Sequence, residues 1–84
     1  ADAFFNKMDL DMDTGWQMSR EWIDNPDDIQ RCQIAADKIF TSIHSENEKI
    51  ATLMAAYILK KLPNISSVDI DTEGDMTQTS FTQG

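Results

Sequence analysis

Residues 45–63 read SENEKIATLMAAYILKKLP and hold the highest density of apolar residues in the chain. Ser45 and Glu48 have the spacing of a capping box, in which each side chain binds the backbone amide of the other residue. Glutamates at the start and lysines at the end suit the helix dipole. Pro63 has no amide donor and cannot continue a helix. This pattern predicts a helix over about 46–62.

The apolar side chains of this helix cover most of its circumference, so other elements must surround it. A chain of 84 residues buries only about 60% of its unfolded surface and has a marginal core. We therefore expect oligomerisation or a partner to supply further burial, and we expect the chain not to be a stable monomer at micromolar concentration. The residues that we predict to contact a partner are Trp16, Trp22, Ile50, Leu53, Tyr57 and Ile58.

A second long helix is predicted from Pro26 to about His44. Asn25 is a favourable N-cap, proline is favoured at the first helical position, and two aspartates follow. The apolar positions are spaced by alternating steps of three and four, as in a helix with one buried face; they are Ile29, Cys32, Ala36, Ile39 and Ile43. The connection to the next helix is very short, which favours an antiparallel hairpin of helices 26–44 and 46–62.

The N-terminal third is predicted to contain short helices. Residues 2–8 favour a helical turn, and residues 9–15 end in a turn signal at Gly15. Residues 16–23, WQMSREWI, suggest a second short helix with Trp16 and Ile23 on one face. The two tryptophans are predicted to belong to the core, and an exposed aromatic docking patch is the alternative.

The segment after Pro63 is rich in Ser, Thr, Asp and Gly, and its apolar residues are scattered. Residues 68–71 alternate like a short strand, but only residues 9–13 resemble a pairing partner. We therefore predict an all-α fold with a helical domain over 1–63 and a polar, acidic, flexible tail over 64–84. On this interpretation the tail is dispensable for folding.

Composition excludes some classes of function. The net charge of −8 weighs against direct nucleic-acid binding, which needs clustered lysine and arginine. No apolar run approaches the ~20 residues that cross a bilayer. The single cysteine suits a reducing compartment, and the N-terminus lacks the basic region of a secretory signal. We expect a cytoplasmic protein.

Two acidic segments have partial likeness to EF-hand calcium loops. Residues 69–77 place acids at loop positions one, three and five and glycine at position six, but Ser80 stands where a bidentate glutamate is needed. Residues 9–15 have one residue too many before the glycine. Solvated acidic turns are the favoured interpretation, and a degenerate calcium module is the alternative; its weak ligand candidates are Asp69, Asp71, Glu73, Asp75, Asp9, Asp11 and Asp13.

A catalytic constellation is not evident. His44 is the only histidine, so a zinc site built from several histidines and cysteines is excluded. Cys32 and His44 fall about 18 Å apart along one predicted helix, too far for a nucleophile and its base. The three glycines form no phosphate-binding loop. We predict a non-enzymatic protein without a cofactor.

Residues 25–62 contain Asn25-Pro26, then Gln33-Ile34-Ala35, then Ser45-Glu46 before an apolar helix. In layout this segment resembles the helical hairpin of type III secretion needle subunits, and the resemblance implies self-assembly. The residues after Pro63 depart from those subunits, which end near the close of the second helix.

Together these features predict a small acidic protein that works through protein–protein contacts, as a self-assembling subunit or an adaptor. Two alternatives stay open. One is the calcium-binding module, and the other is an acidic inhibitor or regulator of a basic partner protein, since −8 on 9.5 kDa suffices for electrostatic steering.

Overall fold

The computed structural model describes residues 2–83, which form helices and two small antiparallel sheets. The predicted all-α class is therefore wrong, and the fold is mixed α/β. The elements in chain order are α1 (Asp2–Asp13), β1 (Trp16–Met18), β2 (Glu21–Ile23), α2 (Asp28–His44), α3 (Glu48–Lys61), β3 (Ile65–Asp69), a 3-10 turn (Met76–Gln78) and β4 (Ser80–Gln83).

The long helices α2 and α3 pack together, but each begins later than its sequence signals suggested. Asp27, not Asn25, caps α2: its carboxylate accepts from the Gln30 amide at 2.8 Å, and the Gln30 side chain accepts from the Asp27 amide at 2.9 Å. The predicted Ser45 capping box is absent. Ser45 instead ends α2, and Asn47 caps α3 by accepting from the Ile50 amide at 3.3 Å.

The N-terminal third differs most from its predicted short helices. Residues 2–13 form one continuous helix, and residues 16–23 form a β-hairpin. Its strands pair Trp16 with Ile23 and Met18 with Glu21 around a two-residue turn, where Ser19 has a φ of 56°. Gly15 precedes the hairpin at a φ of +115°, and a Cβ there would lie 2.5 Å from the Trp22 ring.

Most of the segment that was predicted as a flexible tail forms a second β-hairpin. β3 pairs antiparallel with β4, with Val68 opposite Phe81, and not with residues 9–13, which belong to α1. Ser66 is an extra residue that bulges from β3, since Ile65 faces Gln83 and Ser67 faces Thr82. Apolar side chains of this hairpin and of the loop between its strands pack on the core; they are Ile65, Val68, Ile70, Met76 and Phe81.

The core is formed mainly by side chains of α1, α2 and α3. Phe5 meets Tyr57 edge to face, with ring centroids 5.7 Å apart, a geometry favoured by aromatic quadrupoles. Alanines on α2 allow close helix contact. The buried apolar side chains are Phe5, Met8, Met12, Met18, Cys32, Ile34, Ala35, Ala36, Met54, Tyr57 and Ile58. Within residues 2–83, no helix combines the length and apolar character that a bilayer crossing requires.

Candidate protein-binding groove

A partly buried polar network joins α1, α2 and α3. The Asp9 carboxylate of α1 accepts from the Tyr57 hydroxyl at 2.6 Å and from the Arg31 guanidinium at 3.1 Å. Its second oxygen pairs with Lys61 Nζ at 3.1 Å. Burial raises the pKa of the Asp9 carboxyl, but these hydrogen bonds outweigh it and hold that pKa below its ordinary value.

Every N–H of the Arg31 guanidinium has an acceptor. Nε donates to the Pro26 carbonyl at 2.7 Å, one terminal nitrogen to the Asp9 carbonyl and carboxylate, and the other to Asp13 and Asn25 at 2.8 and 2.9 Å. The Arg31 side chain is only 10% exposed. This full set of bonds gives Arg31 a structural role in the network.

The predicted partner-contact residues divide into three groups. Tyr57 and Ile58 are buried, at 0% and 2% exposure. Three others are half-buried and pack against the core; they are Trp16, Ile50 and Leu53. Trp22 alone is exposed, at 56%, with its indole N–H donating to Asp24 at 2.9 Å.

The first acidic segment lies on α1, where helical geometry separates its carboxylates. Asp9 and Asp13 are one turn apart and both bind Arg31. Asp11 lies on another face and pairs with Lys7 at 3.6 Å. A continuous helix cannot wrap these three carboxylates around one cation.

The second acidic segment uses its carboxylates to hold its own loop. Asp71 accepts from the amides of Glu73 and Asp75 at 3.1 and 2.8 Å. Asp75 accepts from the Thr77 amide at 3.0 Å and from the Ser19 hydroxyl at 2.7 Å, which ties this loop to the first β-hairpin. Hydrogen bonds from Thr77 and then Ser19 lower the pKa of Asp75. In the part of the chain from 2 to 83, no group of three or more ligand residues converges.

Calcium is therefore expected to change stability little. Asp71 and Asp75 are engaged by amide and hydroxyl donors, and Ser80 does not supply the carboxylate that completes an EF-hand cage. Millimolar calcium should shift the melting temperature no more than magnesium at equal ionic strength does. A calorimetric Kd below about 100 μM that is lost in Asp69→Ala would contradict this expectation.

The only thiol and the only imidazole are also apart. Cys32 is buried in the core, where burial and then the Asp28 charge raise the pKa of its thiol to about 12. His44 is exposed at the end of the same helix, beside the Phe40 ring. The two side chains do not form a nucleophile–base pair.

An apolar cleft of about 300 Å³ opens on the side of α3 that faces away from α1. Tyr57 and Lys61 contact α1, whereas Leu59 lies about 200° around the helix from Tyr57. Leu59 is 55% exposed. The cleft is lined by Ile39, Ala55, Ile58, Leu59, Ile65, Ser66, Ser67, Val68 and Ile70.

A second open cleft lies between α2 and α3 beside the turn that joins them. Ile43 lies one turn beyond Ile39 on α2, and Ala51 lies one turn before Ala55 on α3, so both clefts follow the same pair of helices. Ile43 is 64% exposed. The second cleft is lined by Ser42, Ile43, Glu46, Asn47, Glu48, Ala51 and Thr52. We call the two clefts together the α3 groove.

Sequence reasoning identified Ile58 but missed the rest of the α3 groove. Its far wall is β3, which was assigned to a flexible tail, so Ile65, Val68 and Ile70 were not placed against α3. The excess apolar circumference of α3 was the available signal, because Ala55 and Leu59 remain exposed beside Ile39 of α2.

The charge around the groove is negative. Glu46 and Glu48 line it near the helix turn, and Asp69 ends the strand that forms its wall. The lysines at the end of α3 are engaged on the other side, where Lys60 pairs with Asp2 and Lys61 with Asp9. None of the described residues that line the groove is basic.

Comparison with protein-family models, curated proteins and solved structures found no match for this chain. The resemblance of residues 25–62 to needle subunits therefore rests on hairpin layout alone, and β3 and β4 lie beyond the point where those subunits end.

Proposed function

We propose that this chain is a non-enzymatic protein-binding module, either a self-assembling subunit or an adaptor, that binds through the α3 groove. The observation that carries the proposal is the exposed apolar surface of this groove, which includes Leu59 and Ile43 at more than half exposure. Exposed apolar patches mark interaction sites in folded proteins.

The remaining polar groups support binding over catalysis. The side chains of Asp9, Arg31 and Tyr57 bind one another and so hold the helices together. Burial, and then the hydrogen bond to Asp9, raises the pKa of the Tyr57 hydroxyl. The groove itself offers hydroxyls of Ser66 and Ser67 without a neighbouring base. A site that is apolar inside and polar at its ends has the composition of a protein interface.

The proposal predicts that binders selected from a displayed peptide library contact the α3 groove. Leu59→Gln should weaken their binding at least tenfold, because a buried leucine contact contributes about 1.5–3 kcal/mol. Leu10→Gln is the matched control, since Leu10 is 67% exposed on α1 and its loss should leave affinity unchanged. Fluorescence anisotropy measures affinity, and NMR shift perturbation locates the contact.

Light scattering over a range of concentrations separates the two forms of the proposal. Self-assembly should appear as a mass that rises with concentration and falls in Leu59→Gln. A monomer that binds selected peptides in the groove supports the adaptor form. Binders that map elsewhere, together with a monomer insensitive to Leu59→Gln, would overturn the proposal.

A further inference from the structure

We infer that the occupant of the α3 groove is a positively charged amphipathic α-helix of another protein. This inference rests on the proposed function and names the chemistry of its partner.

The dimensions of the groove fit a short helix. Between Glu48 and Leu59, α3 advances about 17 Å, which equals about three helical turns. Apolar positions on this face repeat at steps of four, at Ala51, Ala55 and Leu59, of which Ala55 and Leu59 are exposed and Ala51 is half-buried. An incoming helix with apolar residues at the same step can place its ridge between α2 and α3, as ridges-into-grooves packing requires.

The charges of the groove select a basic partner. Glu46 and Glu48 line the end of the groove near the α2–α3 turn, while the described lining has no lysine or arginine to balance them. Lysines or arginines beside the apolar stripe of a bound helix would meet these carboxylates. Such complementarity raises the association rate and excludes acidic competitors.

A strand is a poorer occupant, although β3 has a free edge in the described two-stranded sheet. The bulge at Ser66 interrupts the ladder, so only residues 67–69 are in regular consecutive register with β4. A bulge at an edge protects it against strand addition. Three residues offer little backbone pairing to an extended peptide.

A second copy of this chain is also a poorer occupant. Each copy carries a net charge of −8. Docking two copies would bring negative surface against the acidic end of the groove, which costs free energy at low ionic strength.

Designed peptides test the inference. The probe is a 14-residue helical peptide with a leucine stripe flanked by lysines, and one comparison peptide has glutamate at every lysine position. A third peptide has the same composition in scrambled order, and a fourth has a central proline. We expect the lysine peptide to bind at least tenfold more tightly than each of the other three, and added salt to weaken its binding.

Variants of the protein locate the effect. Glu46→Gln with Glu48→Gln should weaken binding of the lysine peptide about threefold to tenfold while leaving the Asn47 cap of α3 in place. Leu59→Gln should abolish binding, and Leu10→Gln should not. Circular dichroism verifies that each variant keeps its fold.

The outcomes separate the two proposals. If the glutamate or proline peptide binds in the groove as tightly as the lysine peptide, this inference is overturned and the proposed function stands. If a second copy occupies the groove, the inference also fails. If no peptide and no second copy contacts the groove, both proposals fail.

Discussion

Removing residues 64–84 is expected to lower the melting temperature by many degrees or to unfold the chain. The segment forms β3, a 3-10 turn and β4, and it places five apolar side chains on the core. A fully buried side chain of this size contributes about 1.5–3 kcal/mol, and these five are partly buried, so together they contribute several kcal/mol before the entropy of ordering is subtracted. Small domains have a total stability of only about 5–15 kcal/mol.

Single substitutions separate packing from chain length. Phe81 faces Val68 across the hairpin and is half-buried, whereas its neighbour Thr82 is exposed. Phe81→Ala should destabilise by about 2–4 kcal/mol and Thr82→Ala by less than about 1 kcal/mol. Urea denaturation followed by circular dichroism measures both. A truncated chain that melts within a few degrees of the full chain would show that the hairpin contributes little to the fold.

Asp9→Ala is expected to cost about 1.5–3 kcal/mol, the range for losing a hydrogen bond to a charged group, since the Asp9 side chain is 26% exposed. The substitution leaves the Arg31 guanidinium and the Tyr57 hydroxyl without their shared acceptor inside the fold. Asp11→Ala is the matched control on the same helix. Its pair with Lys7 is exposed, so its loss should cost less than about 1 kcal/mol. Equal losses in the two variants would contradict the structural role assigned to the network.

The same network predicts the pH dependence of stability. The pKa of Asp9 is lowered from 3.8 in the folded chain, so the unfolded state takes up its proton first as the pH falls. The stability that Asp9 contributes is therefore fully present at a pH above the pKa of Asp9 in the unfolded chain. It is lost as the pH falls through the pKa of Asp9 in the folded chain. Denaturation midpoints between pH 7 and pH 2 should fall less steeply in Asp9→Ala.

The helices could be predicted because their signals extend over many residues, whereas the strands could not. α2 and α3 each repeat the apolar period over at least three turns, and only their caps were misplaced, because Asp27 competes with Asn25 and Asn47 with Ser45. β1 and β2 have three residues each, too few to show alternation against a helical period. Trp16 and Ile23 fit one helix face equally well.

The groove could be predicted only in part, because it is built by a contact between segments distant in sequence. The excess apolar circumference of α3 was visible in residues 46–62. Its far wall depends on the docking of β3, and β3 depends on a partner strand that begins eleven residues after β3 ends. Such non-local pairing leaves little trace in local composition.

The burial of Cys32 gives the chain an internal reporter of its own opening. The thiol is the only one in the sequence and is 0% exposed in the core. A thiol reagent reacts with the thiolate form of cysteine. The raised pKa of Cys32 leaves almost no thiolate in the folded chain. Alkylation therefore proceeds through opened molecules, and its rate measures how often α2 separates from the core. A ligand bound in the α3 groove would stabilise the closed chain and slow that reaction, so labelling kinetics would register an occupant that leaves the average structure unchanged.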